Sequence, residues 1–259
     1  MWEGNRITTN FCVGGMVEMS DESISIEELT KERTPSELLR WWDRKNDEVY
    51  YSTNEGRKPL TLHKGRAKEF VEEILPLAIF GERNFGSTDQ VLLKPVIGNQ
   101  SYDAVITDLR TEPASQSYVE ITQSHEGENE YLRSFVQHNK GLVCRYGTVS
   151  KIGTKRTGMQ VSIEPDGACV EKAAKDDLEK ILAAAERKKG KDYPVNTSLI
   201  IFFADSLHFP RVVDDAHLGD FVNRNILKLD LRFSALYLVG LDHVFREYSL
   251  AKRSNITKQ

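Results

Sequence analysis

The feature that most constrains the fold is a near-continuous apolar run, TSLIIFFAD, at residues 197–205. A strand of this kind has no polar face, so the run predicts a strand that is buried on both sides of a sheet. A second apolar run, SALYLVGLD at residues 234–242, predicts another strand. Residues 168–189 repeat apolar side chains every three or four positions and predict a long amphipathic helix. Together these patterns favour one α/β domain, with a mixed sheet flanked by helices and an N-terminal extension.

Composition excludes several other classes of protein. The net charge of −4 over 259 residues gives no overall basic field to attract nucleic acid, although local contacts with phosphate stay open. Cys12, Cys144 and Cys169 are too few and too scattered for a disulfide framework or a zinc cluster, and they fit a reducing compartment. No basic start is followed by an apolar run, and no apolar stretch approaches the roughly 20 residues of a membrane span. We therefore expect a cytoplasmic protein that does not associate with membranes.

The N-terminal segment differs in composition from the remainder. Residues 16–29, MVEMSDESISIEEL, are acidic and poor in large apolar side chains, so residues before Thr34 are expected to add little to the core. The TPSE sequence at residues 34–37 predicts the start of a helix, because it combines a capping threonine, a first-turn proline and a capping-box glutamate. We divide the chain into an arm with a short helix, residues 1–60, and an α/β domain, residues 61–259.

A second helix is predicted over residues 65–80, where apolar side chains follow helical spacing. Pro76 should kink or shorten this helix. Glu69 and Glu73 lie four residues apart on one flank of it. In the preceding helix, Trp41 and Trp42 are interpreted as core anchors, with a stacking surface for bases as the alternative.

Two strand-like runs, YDAVITD and SYVEITQ, each carry one carboxylate in an apolar setting, Asp103 and Glu120. If the connection between them is symmetric about Thr111-Glu112, the register that matches their apolar faces also places Asp103 opposite Glu120. Two facing carboxylates repel by roughly 0.2–1 kcal/mol, so a positive charge is expected beside them. Oxygen-only ligands of this kind suit Mg²⁺ or Mn²⁺.

Lys94 is the other candidate for that positive charge. Gly98-Asn99, between two apolar runs, predicts a two-residue hairpin loop. With such a loop Lys94 pairs with Asp103, and a row of Lys94, Asp103 and Glu120 crosses three strands on one face.

Over roughly residues 65–150 this arrangement resembles the PD-(D/E)XK nuclease superfamily, whose core runs helix, three antiparallel strands, helix, strand. The matching order here is helix 65–80, strands near 91–97, 101–108 and 116–123, helix 128–138 and strand 142–148. The resemblance implies a restriction-endonuclease-like core, a Mg²⁺ or Mn²⁺ cofactor, and phosphodiester hydrolysis of DNA or RNA. It also implies that Asp103 and Glu120 are the metal ligands, and that the acid of the first helix is Glu73 or else Glu69.

Thr122 stands where the (D/E)-x-K motif has its lysine. In such a mechanism the carboxylates hold a metal that activates water, and the lysine helps to position or deprotonate that nucleophile. Thr122 can hydrogen-bond a water but carries no charge. The resemblance therefore implies a catalytic set of Glu73, Lys94 and Thr122, in which Lys94 or Lys140 supplies the missing cation. Gln123 is a poor substitute, because it should point to the opposite face from Glu120.

Two functions of different classes follow. The first is a metal-dependent nuclease. The second is a catalytically inactive nuclease-like domain that binds a nucleic-acid or protein partner, and a homodimer also stays open. For the acids themselves, the plain alternative is a solvated sheet face with a salt bridge from Lys94.

Basic and imidazole side chains elsewhere give weaker signals. Lys155 and Arg156, at the tip of a predicted hairpin, are candidates for phosphate contact or belong to a solvated turn. The basic run at residues 187–191 follows a predicted helix end, where cations are favoured in any case. His125 is interpreted as a loop residue that lies just beyond the third strand and within reach of the site.

Overall fold

The computed structural model describes residues 7–11, 23–52, 60–125, 127–140, 147–154, 158–165, 170–205 and 213–250. The helices are α1 (Ile26–Thr30), α2 (Pro35–Ser52), α3 (Arg66–Glu69), α4 (Leu75–Phe85), α5 (Glu128–Lys140), α6 (Val170–Glu186) and α7 (Asp215–Phe221). Two π-helical segments are π1 (Phe70–Ile74), which joins α3 to α4, and π2 (Val222–Ile226), which follows α7. The strands are β1 (Ile7–Phe11), β2 (Val91–Pro95), β3 (Ala104–Asp108), β4 (Ser115–Gln123), β5 (Gly147–Thr154), β6 (Gly158–Pro165), β7 (Thr197–Phe203), β8 (Ala235–Gly240) and β9 (Phe245–Ser249).

A six-stranded mixed sheet in the order β2-β3-β4-β7-β8-β9 forms the centre of the fold. Strands β2, β3 and β4 are antiparallel, β7 and β8 run parallel to β4, and β9 returns antiparallel. Every residue of β8 is buried, as is every residue of β7 except Ser198. The predicted α/β class, with apolar strands buried inside a helix-flanked mixed sheet, is confirmed.

Two hydrophobic cores cover the two faces of this sheet. On β7, Ile200 belongs to the core that contains α2, π1 and α4, whereas Leu199 and Ile201 belong to the core that contains α6, α7 and π2. Successive side chains of a strand point to opposite faces, so the uninterrupted apolar sequence of β7 supplies both cores.

A separate three-stranded sheet, β1-β6-β5, packs against α5. The helix predicted at residues 128–138 is confirmed as α5, but it does not lead into the strand parallel to β4. That strand is β7, and α6 precedes it. Most of the strand predicted at residues 142–148 lies outside the described residues, and β5, which begins at Gly147, belongs to the small sheet. The predicted order was wrong here because a helix and a hairpin separate β4 from α6.

The N-terminal segment contributes more to the core than its composition predicts. Ile24 and Leu29 are fully buried in the same core as Leu38 of α2, and Arg33 forms a β-bridge with Leu93. The expectation that residues before Thr34 add little core is therefore wrong, because the few apolar side chains of this acidic stretch are spaced to point inward. None of the helices in the described ranges is long and apolar enough to cross a membrane.

The two tryptophans of α2 are core anchors, as predicted. Trp41 is 8% exposed and meets the edge of Phe70, with ring centroids 5.7 Å apart. Trp42 stacks on the same ring, and its indole N–H donates to the Phe70 carbonyl at 3.0 Å.

The turn between β8 and β9 is held by two side chains from distant parts of the chain. The carboxylate of Asp205, which is 0% exposed, accepts hydrogen bonds from the backbone amides of residues 242–244. The guanidinium of Arg83 donates to carbonyls of residues 240, 241, 242 and 244. A Cβ at Gly240 would lie 2.4 Å from Asp205, so only glycine fits there without a shift.

Candidate functional site

The two acids singled out in the sequence lie side by side at one end of the central sheet. The register of β3 and β4 pairs Ala104 with Val119, so Asp103, one residue earlier, faces Glu120. The Asp103 amide, just before β3, donates to the Val119 carbonyl at 2.7 Å. Asp103 Oδ2 accepts a hydrogen bond of 2.6 Å from the amide of Ile121. The predicted juxtaposition of Asp103 and Glu120 is confirmed.

Lys94 does not join this pair. It pairs with Val105, two positions along the strand from Asp103, and its side chain is exposed. The predicted row of three was wrong because the β2–β3 connection is wider than the two-residue loop expected at Gly98-Asn99. The Gln100 side-chain amide holds this wider loop by donating to two backbone carbonyls.

The cation beside the acids is Lys188, from the turn that follows α6. Its ammonium group forms an ion pair with Glu120 Oε1, and the Lys188 and Glu120 side chains are only 16% and 12% exposed. The two residues are 68 positions apart in the chain. The only sequence signal for Lys188 was its place in the basic run at 187–191, which a helix end explains equally well.

Asp103 is half-buried, and its surroundings disfavour the ionised form of its carboxyl group. Burial, together with the charge of Glu120, raises the pKa of Asp103 to about 6, although the hydrogen bond from Ile121 and the charge of Lys188 oppose the rise. Each of these influences favours one protonation state of the carboxyl. Asp103 therefore gains stability in its ionised form from any further cation brought to the pair.

Glu73 brings a third carboxyl group from π1, on the helix predicted to carry the acid. Burial and the charges of Asp103, Glu69 and Glu72 raise the pKa of Glu73 to about 8, against the opposing charge of Lys68. Glu69 Oε2 is buried without a hydrogen-bond partner. The helix acid thus lies within electrostatic range of Asp103 and is mostly protonated at neutral pH.

The π-helical turn that carries Glu73 compensates for Pro76. Proline has no N–H to donate to the carbonyl of residue 72, as an α-helix would require. The side-chain amide of Gln123 donates to that carbonyl, Glu72 O, at 2.7 Å. The helix has π geometry just before Pro76 and continues to Phe85, so the proline does not shorten it. Gln123 points toward this helix and away from Glu120, as predicted.

A cleft of about 460 Å³ lies beside the acids, between π1, the end of β4 and the turn after α6. We call it the β4 cleft. Its lining residues are Lys68, Glu72, Glu73, Ile121, Thr122, Gln123, His125, Gly127 and Arg187.

Three of the side chains that line the β4 cleft are basic. The Arg187 guanidinium donates one hydrogen bond to the Gln123 carbonyl at 2.7 Å, which fixes it at the rim. The amide of Gly127 donates to His125 Nδ1 at 3.1 Å, so the proton of the neutral imidazole lies on Nε2. Lys68 is exposed. These groups give the cleft hydrogen-bond donors that suit an anion.

The second acid of the cleft, Glu72, is already partnered. Burial alone would raise the pKa of Glu72, but the hydrogen bond from His63 and the charges of His63, Lys68 and His125 outweigh it and lower the pKa. The His63 Nδ1 to Glu72 Oε1 distance is 2.9 Å. Glu72 is therefore ionised, and one of its oxygens already has a hydrogen-bond partner.

Tyr193, which no sequence pattern marks, also adjoins the acids. Its ring packs against Phe233 with centroids 4.2 Å apart, and its hydroxyl is buried without a hydrogen-bond partner. Burial and the charges of Glu120 and Asp103 raise the pKa of the phenol, which stays protonated. A single tyrosine in a loop gives no signal in the sequence.

The remaining predicted residues divide into two groups. Thr122 is 8% exposed and lines the β4 cleft. Lys155, Arg156 and the side chain of Lys140 lie outside the described residues. Within the described ranges, no three or more His, Cys, Asp or Glu side chains form a group that could hold a metal ion.

No family model, curated protein or solved structure matches this chain. The function proposed below rests on the geometry of the site.

Proposed function

We propose that this chain is a metal-dependent nuclease that hydrolyses phosphodiester bonds of DNA or RNA. The observation that carries the proposal is the facing pair of Asp103 and Glu120, half-buried at a sheet end beside Lys188 and a cleft with basic side chains. Buried carboxyl groups with raised pKa values are typical of functional sites. Acids to hold a metal and cations to hold a phosphate are the two requirements of metal-assisted phosphodiester hydrolysis.

The donor atoms of the pair fit Mg²⁺ or Mn²⁺. One oxygen of each carboxylate is engaged, Asp103 Oδ2 by Ile121 and Glu120 Oε1 by Lys188, which leaves the second oxygen of each for a metal. Magnesium is commonly held by one or two carboxylates, with waters and substrate phosphates completing the shell, so a third protein ligand is not required. A bound metal would supply an activated water and neutralise charge on the phosphate.

Lys188 takes the role for which Lys94 was predicted. Its ammonium group lies against Glu120 in a poorly exposed site, where a fixed charge acts more strongly than in water. There it orients the carboxylate and opposes the negative charge that develops on a phosphate. Thr122, in the motif position of the lysine, contributes a hydroxyl to the wall of the cleft.

The order of elements supports a restriction-endonuclease-like core. The helical unit α3-π1-α4 is followed by the antiparallel β2, β3 and β4, then by α6 and by β7, which is parallel to β4. This is the order helix, three strands, helix, strand that the resemblance implies, with α5, β5 and β6 inserted between β4 and α6.

A second candidate is a nuclease-like domain that binds without cutting. The Lys188–Glu120 ion pair favours it, because this contact already satisfies one of the two acids in the absence of a metal. The two candidates differ in whether Mn²⁺ binding leads to cleavage.

The test compares wild type with Glu120→Gln, which keeps the shape of the side chain and removes its charge. Wild type should bind Mn²⁺ in a calorimeter and cut DNA or RNA in its presence, and Glu120→Gln should lose both. Asp108→Asn, an acid at the far end of the same sheet region, serves as the matched control and should keep both. Mn²⁺ binding without cleavage would favour the non-catalytic candidate, and a wild type that neither binds Mn²⁺ nor cuts contradicts the nuclease.

A further inference from the structure

The β4 cleft differs from the acid pair in the kind of group that it offers. Lys68, His125 and Arg187 converge on it from α3, the loop after β4 and the turn after α6. Arginine and lysine are the side chains that most often contact phosphate oxygens, and a neutral imidazole with its proton on Nε2 can donate as well. These converging donors suit the cleft to an oxyanion.

The carboxyl groups in the wall leave these donors available. Glu72 Oε1 is bound by His63, which lies behind it and does not line the cleft. Arg187 uses one nitrogen for the Gln123 carbonyl. A guanidinium has five N–H donors, so this anchored side chain can still bind an anion through the others.

Among the described residues, none that lines the cleft is a phenylalanine, tyrosine or tryptophan. Proteins that hold a single strand through its bases do so by stacking them on aromatic rings, and base selection requires contacts with base edges. Ile121 is the only large apolar side chain in the part of this wall that the structure describes. Phosphate contacts position a strand but do not read its sequence.

We propose that the β4 cleft binds a backbone phosphate of a nucleic-acid strand without selecting the base. This inference rests on the proposed function. Two lining residues place the cleft next to the acids. The amide of Ile121 donates to Asp103, and Arg187 directly precedes Lys188 in the chain. The bound phosphate is thus a neighbour of the one held at Asp103 and Glu120, so the enzyme cuts without sequence preference.

The experiment measures strand binding in EDTA, where the acid pair holds no metal. Fluorescent oligonucleotides of equal length, dT, dA and rU, are titrated with wild type, with Lys68→Ala and Arg187→Ala combined, and with Lys189→Ala. Lys189 is exposed in the same turn as Arg187 and does not line the cleft. Wild type and Lys189→Ala should bind alike, and the double variant should bind at least about tenfold more weakly, with the slope of log affinity against log salt reduced by about one to two. Thermal melts of every variant establish that it is folded.

Each outcome decides a different point. Equal binding by the double variant and wild type, or no binding of any oligonucleotide, overturns the inference. A preference of more than about tenfold between dT and dA overturns the base-independent recognition. Comparison of dT with rU separates DNA from RNA as the source of the phosphate. A cleft that binds strands in EDTA, in a protein that fails to bind Mn²⁺, would overturn the nuclease and leave strand binding standing.

Discussion

At the scale of single residues, the site contains more acidic groups than basic ones. Asp103 lies near both Glu120 and Glu73, and Lys188 forms an ion pair with Glu120. Burial, followed by the like charges of neighbouring acids, raises the pKa values of Glu73 and Asp103, because both effects disfavour the ionised carboxyl. A divalent cation would replace the protons of these carboxyl groups.

Lys188→Met tests the role of the lysine. The change removes the cation while keeping much of the apolar stem, so it also removes a charge that repels a metal. We expect Mn²⁺ affinity to stay the same or increase, and the cleavage rate to fall by roughly 100-fold, in the range found when a preorganised electrostatic group is removed. Calorimetry and a single-turnover assay measure the two effects. Lys94→Met is the matched control and should cut at the wild-type rate. Loss of cleavage in Lys94→Met alone would return the role to Lys94.

Glu73→Gln tests the raised pKa of the helix acid. The folded-state pKa of Glu73 is about 8, against an ordinary pKa of 4.5, so the folded protein holds a proton that the unfolded chain releases. Stability linked to this group is complete below about 4.5 and is lost as the pH rises through about 8, with a slope of at most about 1.4 kcal/mol per pH unit. Urea unfolding in EDTA should show wild type losing stability between pH 5 and pH 8 more steeply than Glu73→Gln. Parallel curves for the two proteins would show that Glu73 has an ordinary pKa. Asp103, with a pKa of about 6, steepens both curves below that pH alike.

At the scale of secondary structure, the end of β4 and the helix that carries Glu73 depend on each other. The side chain of Gln123 supplies the hydrogen bond that the ring of Pro76 cannot give to the Glu72 carbonyl. This contact holds π1 against β4, and so places Glu73 near Asp103.

A double-mutant cycle measures that dependence. Gln123→Met should lower the free energy of unfolding by about 1–2 kcal/mol, because the Glu72 carbonyl loses its partner. In a Pro76→Ala background the cost should be smaller, since the new amide of residue 76 can donate to the same carbonyl. Gln116→Met, an exposed position on β4, serves as control. An equal cost of Gln123→Met in both backgrounds would show that the contact does not compensate for the proline.

The strands and the acid pair could be predicted from the sequence, whereas the cation could not. Apolar runs predict β7 and β8 because a strand that is buried on both faces carries apolar side chains at nearly every position. The symmetric connection predicts that Asp103 faces Glu120, because the register of a hairpin is local. Lys94 was misplaced because Gly98-Asn99 suggested a tighter loop than the chain forms. Lys188 was missed because its contact depends on how α6 crosses the sheet, which no local pattern encodes.

At the scale of the whole molecule, the N-terminal segment is part of the fold. Deletion of residues 1–30, which the composition suggested would cost little, would remove Ile24 and Leu29 from the core shared with α2 and the sheet. A capping box begins the short helix α1: the side chains of Ser25 and Glu28 each accept a hydrogen bond from the backbone amide of the other residue. Leu29 of this helix is buried.

Leu29→Ala and Ile26→Ala form a matched pair on this helix. Leu29 is 0% exposed and Ile26 is 44% exposed. Truncation of the buried leucine should lower the free energy of unfolding by about 2–5 kcal/mol, because it leaves a cavity. Truncation of the exposed isoleucine should cost no more than about 0.5 kcal/mol. Chemical denaturation checks both. Equal small costs would show that α1 can be removed without loss of the core.

The turn held by Arg83 and Asp205 has a consequence for hydrogen exchange. Residues 241–243 are exposed and irregular, a setting in which amides ordinarily exchange within the fastest class. Here the amides of residues 242–244 all donate to the fully buried carboxylate of Asp205, and Arg83 binds the carbonyls on the other side. These amides should exchange as slowly as those of β8, and far more slowly than the amide of Thr111 in the exposed connection between β3 and β4. This loop is therefore exposed to solvent, yet its amides are protected from exchange with deuterium. They become accessible only when α4, β7 and the edge of the sheet separate together.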